Sequence, residues 1–512
     1  MSINDLVIIP TAGKGTRLGH FTKDLNKALL PYKGKPIISH IIEQFPLQSK
    51  FLIPIGYLGT QIVDYCSLTY PDLDFEFIVI NDWDSVTGGT GSTLRQCANY
   101  VDRPFWYVPC DTIFNETLDH SLTEDCYFVS KVEKQLHKEY TTFSTENNRV
   151  LDIAFKKSTS DNYLAFTGLM FINDHLSFFQ KLCNHIGNEF IDILQVNTLT
   201  RPLQSWIDVG NFDIYSRARM ADQDYDFSKT EEITYLVNNK VVKWYKDAKI
   251  SNLKYQRYNF NKTVFPDNCL VKPQFLKYDY FNGSVLYDDY SIRKFEKLLE
   301  WLEKKVWVRT DLDLNDTLDK FYKKKTLDRI EQFKKKYLYL PNITKINDLL
   351  VRKPDYYLNK INWSNLITKS IPCFIHGDLH FDNVVIDRFD NFRIIDWRYG
   401  FEDSVIYGDL YYDLAKLAGG LIINYSQIKK NNFQVDILID EVRLQIPSVE
   451  DLDQYEKILE EFISRQNLDY EKVKLLIPII FWNMAPLHHK PFDLFLWYLG
   501  LYYFAKFFKF QQ

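Results

Sequence analysis

The sequence has no C-x-x-C pair. Its seven cysteines (Cys66, Cys97, Cys110, Cys126, Cys183, Cys269 and Cys373) are scattered, so neither a zinc site nor a disulfide framework is indicated, and reduced thiols in a cytoplasm are expected. Positive charge is not in excess either. Lys+Arg 62 against Asp+Glu 67 gives a formal net charge of -5, which offers no general field for gathering nucleic-acid phosphates and removes nucleic acid from the expected partners. A long uncharged apolar run is also missing. The most apolar late stretch, Phe492 to Phe508, is broken by Asp493 and Lys506 and falls short of the roughly 18 uncharged residues of a spanning helix. It reads as a buried closing helix, with no stable membrane insertion. The opening Met-Ser-Ile-Asn-Asp-Leu carries an acid where an export signal needs a basic region, and no internal repeat of roughly 20 to 50 residues occurs.

What the sequence does contain is ordinary globular composition, 46% hydrophobic and 25% charged, over 512 residues. That length suggests about two to four domains of roughly 100 to 200 residues each. Leu6 to Pro10 reads as a buried strand followed by the turn-forming Thr11-Ala-Gly-Lys-Gly-Thr-Arg17. Strand-like runs (Phe51 to Ile55, Phe75 to Ile80, Phe105 to Val108, Tyr127 to Val132) alternate with helix-like ones (Ile37 to Gln44, Ser92 to Tyr100). The alternation predicts an α/β domain with a mostly parallel sheet and helices on both faces. The pattern ends near Met220 at the acid-rich Ala221 to Thr230. The predicted division is therefore 1–222, a linker at 223–230, and a second domain at 231–512. The second domain opens with a hairpin, Ile233 to Val237 and Lys240 to Trp244 turning at Asn238-Asn239, and continues as long Lys-rich helices such as Ile292 to Val306 and Leu318 to Tyr337. It reads as α+β, a small β lobe plus a helical lobe. The basic clusters Lys323 to Lys325 and Lys334 to Lys336 read as a solvated face.

Two constellations carry chemistry. In the first, a glycine-rich loop after a buried strand lets backbone N–H groups approach phosphates, and Arg17 supplies a delocalised charge. Lys27 follows in Asn26-Lys-Ala-Leu-Leu-Pro-Tyr32, then Gly88-Gly-Thr-Gly-Ser92, then Asp111 directly after the strand Phe105 to Val108. An acid at the end of a central strand lies where open α/β sheets place their ligands. Trp206-Ile-Asp-Val-Gly210 adds Asp208, which could join Asp111 on one magnesium ion, a cation that prefers oxygen ligands.

Residues 1 to about 222 thus resemble the sugar-phosphate nucleotidyltransferase family, which includes nucleoside-diphosphate-sugar pyrophosphorylases and phosphocholine cytidylyltransferases. By that resemblance Ala12, Gly13, Gly15, Thr16, Gly89, Thr90 and Gly91 bind the nucleoside triphosphate, and Arg17 and Lys27 are catalytic. Asp111 and Asp208 hold Mg2+, and Lys157, Thr167 and Gly168 meet the substrate. Asn26 stands where the family has proline and Cys110 where it has glycine. Phe155-Lys-Lys-Ser158 resembles the E-K-P segment of sugar-1-phosphate enzymes, which tilts the reading towards a sugar phosphate.

The second constellation is Ile375-His-Gly-Asp-Leu-His-Phe-Asp-Asn383 with Asp396 in Phe392-Arg-Ile-Ile-Asp-Trp397. Its spacing matches a kinase catalytic loop and a metal-holding aspartate. Residues from about 230 resemble the aminoglycoside phosphotransferase and choline kinase family. The resemblance implies Asp378 as catalytic base, Asn383 and Asp396 as Mg2+ ligands, Asp413 as structural support and Lys243 as the phosphate-binding strand lysine. The glutamate partner usual for that lysine is not evident, since Ile250 to Phe260 offers Gln256 and no acid, and Glu231 to Asn239 has no glycine. His376 and His380 read as loop residues and not as zinc ligands.

The whole reads as a bifunctional enzyme. Its kinase half phosphorylates a small hydroxyl compound with ATP, a sugar being favoured. Its transferase half couples the product to CTP, UTP or dTTP, for surface-glycan or lipid decoration. One alternative is a choline or ethanolamine kinase fused to a phosphocholine-type cytidylyltransferase, and another is a single transferase carrying a kinase-like binding module.

Overall fold

The computed structural model describes residues 4–85, 88–157, 160, 162–220, 231–337 and 339–509; the expected linker 223–230 and Ser158 lie outside them. Contacts divide the chain into two compact units. The first comprises Met1–Gln223, Lys229–Ala248 and Lys272–Lys277, and the second Asp224–Ser228, Lys249–Val271 and Tyr278–Gln512.

The first unit is built on a nine-stranded sheet. In chain order its strands are β1 (Leu6–Ile8), β2 (Lys50–Ile55), β3 (Asp74–Val79), β4 (Phe105–Tyr107), β6 (Cys126–Ser130), β7 (Thr141–Glu146), β8 (Arg149–Phe155), β9 (Tyr163–Ile172) and β10 (Leu199–Pro202); the short β5 (Thr112–Ile113) and β11 (Ile207–Asp208) form a separate pair. The spatial order is β3-β2-β1-β4-β9-β6-β10-β8-β7. The segment β3-β2-β1-β4 is parallel throughout. Beyond it the sheet turns antiparallel, with β9 against β4, β6 and β7, and only β10 runs parallel to β6. Hydrophobic runs buried on both faces suit such a parallel core. Val7 packs into one core with helices α1 (Ile37–Ile42) and α2 (Gly59–Thr69), while Leu6 and Ile8 face a second core with α3 (Thr90–Cys97) and α4 (His175–Asn184).

This order has a functional consequence. From β1 the chain moves outward to β2 and β3, then returns to place β4 on the other side of β1, so the strand order reverses between β1 and β4. Open α/β sheets bind ligands at the carboxyl ends of the strands flanking such a reversal. The Gly13–Arg17 loop follows β1 and Asp111 follows β4. Both candidate segments are thereby delivered to the carboxyl ends of two adjacent central strands.

The hairpin β12 (Glu232–Val237) and β13 (Lys240–Tyr245), which the division at 231 assigns to the second domain, packs with the first unit. Asn238 and Asn239 at its turn have φ of 50° and 55°, as a two-residue turn matching the strand twist requires. Tyr235, Val237, Val242 and Trp244 join the core that contains Val7, and the Tyr235 hydroxyl donates to the Leu29 carbonyl at 2.5 Å.

The second unit is mainly helical: α5 (Ala248–Phe260), α6 (Ile292–Trp301), α7 (Lys325–Lys336), α8 (Leu410–Ile422), α9 (Leu452–Arg465), α10 (Tyr470–Met484) and α11 (Phe492–Lys509). The expected helix Ile292 to Val306 is regular to Trp301 and then widens over Leu302–Val306, and the turn Asp319–Lys324 ahead of α7 widens in the same way. The closing α11 is buried along most of its length. Among the described residues no helix is long and apolar enough to cross a membrane.

Lys323 and Lys324 are exposed as a solvated face predicts, but two other lysines of these clusters also make specific contacts. Lys336 pairs with the fully buried Asp493 at 2.6 Å, and Lys325 is turned inward onto the ring of Phe321, 4.0 Å from its centre. Their long stems cover apolar surface while their charges find partners.

Candidate active sites

At the first site the chain brings Lys27, Asp111 and Asp208 together. Asp208 pairs with Thr112 across β5 and β11, and the Val209 N–H donates to the Asp111 carbonyl at 2.9 Å, so the two acids sit on adjacent strands. The Lys27 Nζ lies 3.0 Å from Asp111 Oδ2. Gly210 donates its N–H to Asp208 Oδ1 at 2.9 Å, and a Cβ on Gly210 would meet Asp111 Oδ2 at 2.8 Å and Asp208 Oδ1 at 3.0 Å. Both carboxylates therefore converge on one point that only glycine leaves open.

The electrostatics follow from this arrangement. Burial alone would raise Asp111, but Lys27, its hydrogen bond and then Arg17 outweigh it and hold the carboxyl below its usual range. Asp208 goes the other way, raised by burial and by the negative charge of Asp111. Lys27 is raised above the ordinary lysine value because Asp111 and Cys110 overcome its burial. Two acids pressed together with one lysine shared between them form an oxygen donor set that suits a hard divalent cation such as magnesium.

The departures from the family pattern have local explanations. Asn26 is fully buried, and its Nδ2 donates to the carbonyls of Thr11 (3.1 Å) and Tyr57 (2.7 Å) while its Oδ1 caps the Ala28 N–H. This ties the lysine turn to the start of the glycine loop. Cys110 turns its side chain into the core, and burial pushes its thiol up to about 11.

In the glycine loop Ala12 is buried, Gly13, Thr16 and Arg17 are exposed, and Gly15 has φ 66°. A Cβ on Gly15 would press on Lys27 at 3.2 Å. Gly89 and Gly91 are held tightly against the Asn188 backbone, to whose carbonyl the Gly91 N–H donates at 2.8 Å, and Thr90 bonds Glu189. Their small size is used at least in part for packing. Gly168, with φ 83°, passes Pro109 where a Cβ would lie 2.5 Å away, and Thr167 is buried with its hydroxyl on the Phe128 carbonyl. Lys157 is exposed beyond β8 and meets none of the other candidates within hydrogen-bond reach among the described residues.

Tyr140 was not legible in the sequence. Its hydroxyl donates to Asp208 Oδ2 at 3.1 Å, and its ring meets Trp206 at 5.3 Å. Lys243, only 4% exposed, pairs with Glu232 at 2.9 Å across the hairpin. Both residues of this pair belong to the first unit, whereas Asp378, Asn383 and Asp396 belong to the second. Alternation puts Glu232 and Thr234 on one face, and Thr234 faces Lys243, so this partner could have been found from the register.

The second site lies in the second unit, after the strand Pro372–Phe374. Asp413, fully buried on α8, accepts the N–H groups of His376 and Gly377 at 2.7 Å each and the Trp307 indole N–H at 3.1 Å. Burial still raises this carboxyl to about 6. Asp413 thus pins the loop that presents Asp378. His376 donates from Nε2 to the Ile395 carbonyl at 2.7 Å and accepts the Asp378 N–H on Nδ1 at 3.1 Å; burial pushes its pKa down to about 4. That wiring occupies both ring nitrogens of His376. No cluster of three or more His, Cys, Asp or Glu suited to a metal occurs among the described residues.

Asn383 donates from Nδ2 to the Asp378 carbonyl at 2.8 Å, leaving its Oδ1 as the end that could meet a cation. Asp396 has φ 57°, and its neighbours tie it to the same loop: Ile395 N–H to the Asn383 carbonyl at 2.9 Å and Arg398 N–H to the His376 carbonyl at 3.0 Å. The fully buried Arg257 on α5 binds the carbonyls of Ile375, Val405 and Ile406. Lys416 was also missed. Its Nζ lies 2.6 Å from Asp378 Oδ1, and because it follows Asp413 by three residues on α8, one helical turn puts both against the loop.

Comparison with known proteins agrees with both halves. Residues 7–148 match the family described as MobA-like NTP transferase domain, and residues 313–439 match the phosphotransferase enzyme family. The chain joins a nucleotidyltransferase domain to a phosphotransferase-family domain. It is 33% identical over 128 residues to the bifunctional protein GlmU of Methanococcus maripaludis, covering 25% of this chain and 29% of that one. It is 26% identical over 113 residues to the UTP–glucose-1-phosphate uridylyltransferase AglF of Haloferax volcanii, covering 22% and 45%. The chain thus spans less than half the length of either relative. Among solved structures, the CTP:phosphocholine cytidylyltransferase of Streptococcus pneumoniae aligns with 18% identity and a TM-score of 0.35 over 43% of this chain and 99% of that one.

Proposed function

We propose that the two domains catalyse consecutive steps. The phosphotransferase domain transfers the γ-phosphoryl of ATP to a small hydroxyl compound, and the nucleotidyltransferase domain couples the phosphorylated product to a nucleoside triphosphate and releases pyrophosphate. The observation that carries the reading is the convergence of Asp111 and Asp208 at Gly210, with Lys27 paired to Asp111, on a chain that separately presents Asp378 and Asn383 on one braced loop. A sugar is the favoured substrate, supported by the likeness of Phe155 to Ser158 to sugar-1-phosphate enzymes and by the name of the relative AglF.

In the transferase step an acceptor phosphate oxygen attacks the α-phosphorus in line, so the domain's work is positioning and charge neutralisation. Arg17 and Lys27 hold the negative triphosphate, and Asp111 and Asp208 are the residues that would hold magnesium. Bound there, the ion would neutralise charge on the reacting phosphates. In the kinase step Asp378 accepts the proton of the acceptor hydroxyl, and Asn383 and Asp396 would hold the metal.

Phosphorus NMR on the full chain with Mg2+ tests this, using ATP and CTP, UTP or dTTP against sugars, sugar 1-phosphates, choline and phosphocholine. A diphosphate diester formed from an unphosphorylated parent, and lost in both Asp111→Asn and Asp378→Asn, is the expected result. A diester formed only from phosphorylated compounds, with Asp378→Asn silent, would leave the second domain a binding module.

A further inference from the structure

The rim of the second site is rich in cations. Lys416 meets Asp378 at 2.6 Å. Arg398 lays its stem across Gly377, where a Cβ would meet the Arg398 Cβ at 2.8 Å, and Gly377 directly precedes Asp378. The Arg398 guanidinium stands 5.0 Å from the centre of the Phe321 ring, and Lys325 Nζ stands 4.0 Å from the same ring. The Arg398 side chain donates from Nε to the Gly400 carbonyl at 2.9 Å and has no acid partner among the described residues. The nearest acid to Lys325 is Glu402 at 3.8 Å, beyond hydrogen-bond reach.

These cations feel one another. Lys325 is pushed down to about 7, first by burial and then by the positive charge of Arg398, with Arg329 and Lys416 acting in the same sense against Glu402. A folded protein holds like charges close in a half-buried place at a cost, and a fixed negative charge from a ligand removes that cost. Phe321, Lys325 and Lys416 lie on helical segments that carry neither Asn383 nor Asp396, whereas Arg398 follows Asp396 by two residues, so the ATP phosphates are the rival claimant for Arg398 and the KM for ATP decides between them. A neutral contact is available as well. Asn483 donates from Nδ2 to Thr326, next to Lys325, and its buried Oδ1 has no partner among the described residues, while Met484 lies 3.7 Å from the Lys416 Nζ.

We propose that the phosphoryl acceptor is a small hydroxyl compound that already carries a carboxylate or phosphate group, which Arg398 and Lys325 seat beside Asp378. The proposal rests on the reading of the second domain as a kinase and narrows its substrate class. The acceptor oxygen forms a bond to the γ-phosphorus, the bond from that phosphorus to the ADP oxygen breaks, and the hydroxyl proton passes to Asp378. The products are ADP and a phosphate monoester bearing the original anionic group.

The test measures ADP release by the full chain with Mg2+-ATP over charge-matched acceptors: glucuronate and glucose 6-phosphate against glucose and glucosamine, and glycerate and glycerol 3-phosphate against glycerol and choline. At least one anionic acceptor is expected to exceed its neutral counterpart at least tenfold in kcat/KM, and the carboxylate and phosphate arms separate the two sources of charge. Arg398→Gln and, as a second variant on a different element, Lys325→Gln should each raise the acceptor KM at least fivefold and change the KM for ATP less than twofold. A preference for a neutral or cationic acceptor that is lost in Asp378→Asn overturns the proposal and leaves the kinase reading standing, as does an effect of both variants on the ATP KM alone. Absence of Asp378-dependent phosphorylation in every arm overturns both.

Discussion

Lys27 and Asp111 are 84 residues apart in sequence and their charged ends are 3.0 Å apart in space. The pair holds Asp111 ionised beside Asp208, whose own carboxyl is raised by burial and by that same neighbour. Lys27 favours the charged form of one acid, while burial and the neighbouring Asp111 disfavour the charged form of the other. That asymmetry is the electrostatic core of the proposed transferase site.

Asp111→Asn keeps the shape of this site and removes the charge that Lys27 balances. We expect a loss of about 100-fold or more in nucleotidyl transfer, the scale of removing one preorganised charge-stabilising group. ADP release by the second domain should be unchanged. Pyrophosphate release assayed beside ADP release on the same preparation checks this.

Gly210→Ala places a methyl group 2.8 Å from Asp111 Oδ2 and 3.0 Å from Asp208 Oδ1. The two acids must then part, and the shared oxygen donor set opens. Transfer activity should fall by about tenfold or more, since a misplacement of about an ångström is costly in a preorganised site. Raising the Mg2+ concentration should recover part of the loss, and a variant with wild-type Mg2+ dependence and rate would contradict the convergence.

His376 gives a pH signature. Burial lowers its folded pKa from the ordinary 6.5 to about 4, so the unfolded chain binds a proton that the folded chain refuses between those values. Stability should therefore be present above pH 6.5 and decline as pH falls towards 4, by up to about 3 kcal/mol from this group. Asp413, raised to about 6, acts in the opposite sense: its contribution is fully present below the unfolded aspartate value and is lost as pH rises through 6. Urea midpoints of wild type and His376→Gln from pH 4 to 8 separate the two, because only the first slope should flatten in the variant.

Lys416→Met leaves Asp378 without its 2.6 Å partner. We expect kcat of the phosphotransferase step to fall about tenfold or more, with the KM for ATP nearly unchanged, since the lysine acts on the base and not on the nucleotide. Arg should restore more activity than Met at this position. Steady-state rates with ATP varied at fixed acceptor discriminate the two parameters.

Much of this was legible one residue type at a time. The alternation of buried strands and helices announced the sheet, Asn238-Asn239 announced the hairpin, and the order of the glycine loop, Lys27, Asp111 and Asp208 marked the first site. The H-G-D loop, Asn383 and Asp396 marked the second. Local conformational preference and short spacings suffice for these, because they depend on neighbours within a few bonds.

Other features depended on contacts between distant segments. The antiparallel half of the sheet is set by which strand edges meet, and Tyr140 reaches Asp208 from 68 residues away. The inward turn of Lys325 is set by the position of Phe321, and the packing of the hairpin on the first unit by the fit of Tyr235 and Trp244 into its core. The sequence by itself determined which groups were available for chemistry and the local elements that carry them. Tertiary structure decided their partners: burial strips water from a charge, and the charge must then be answered by whichever group the fold brings within a few ångströms.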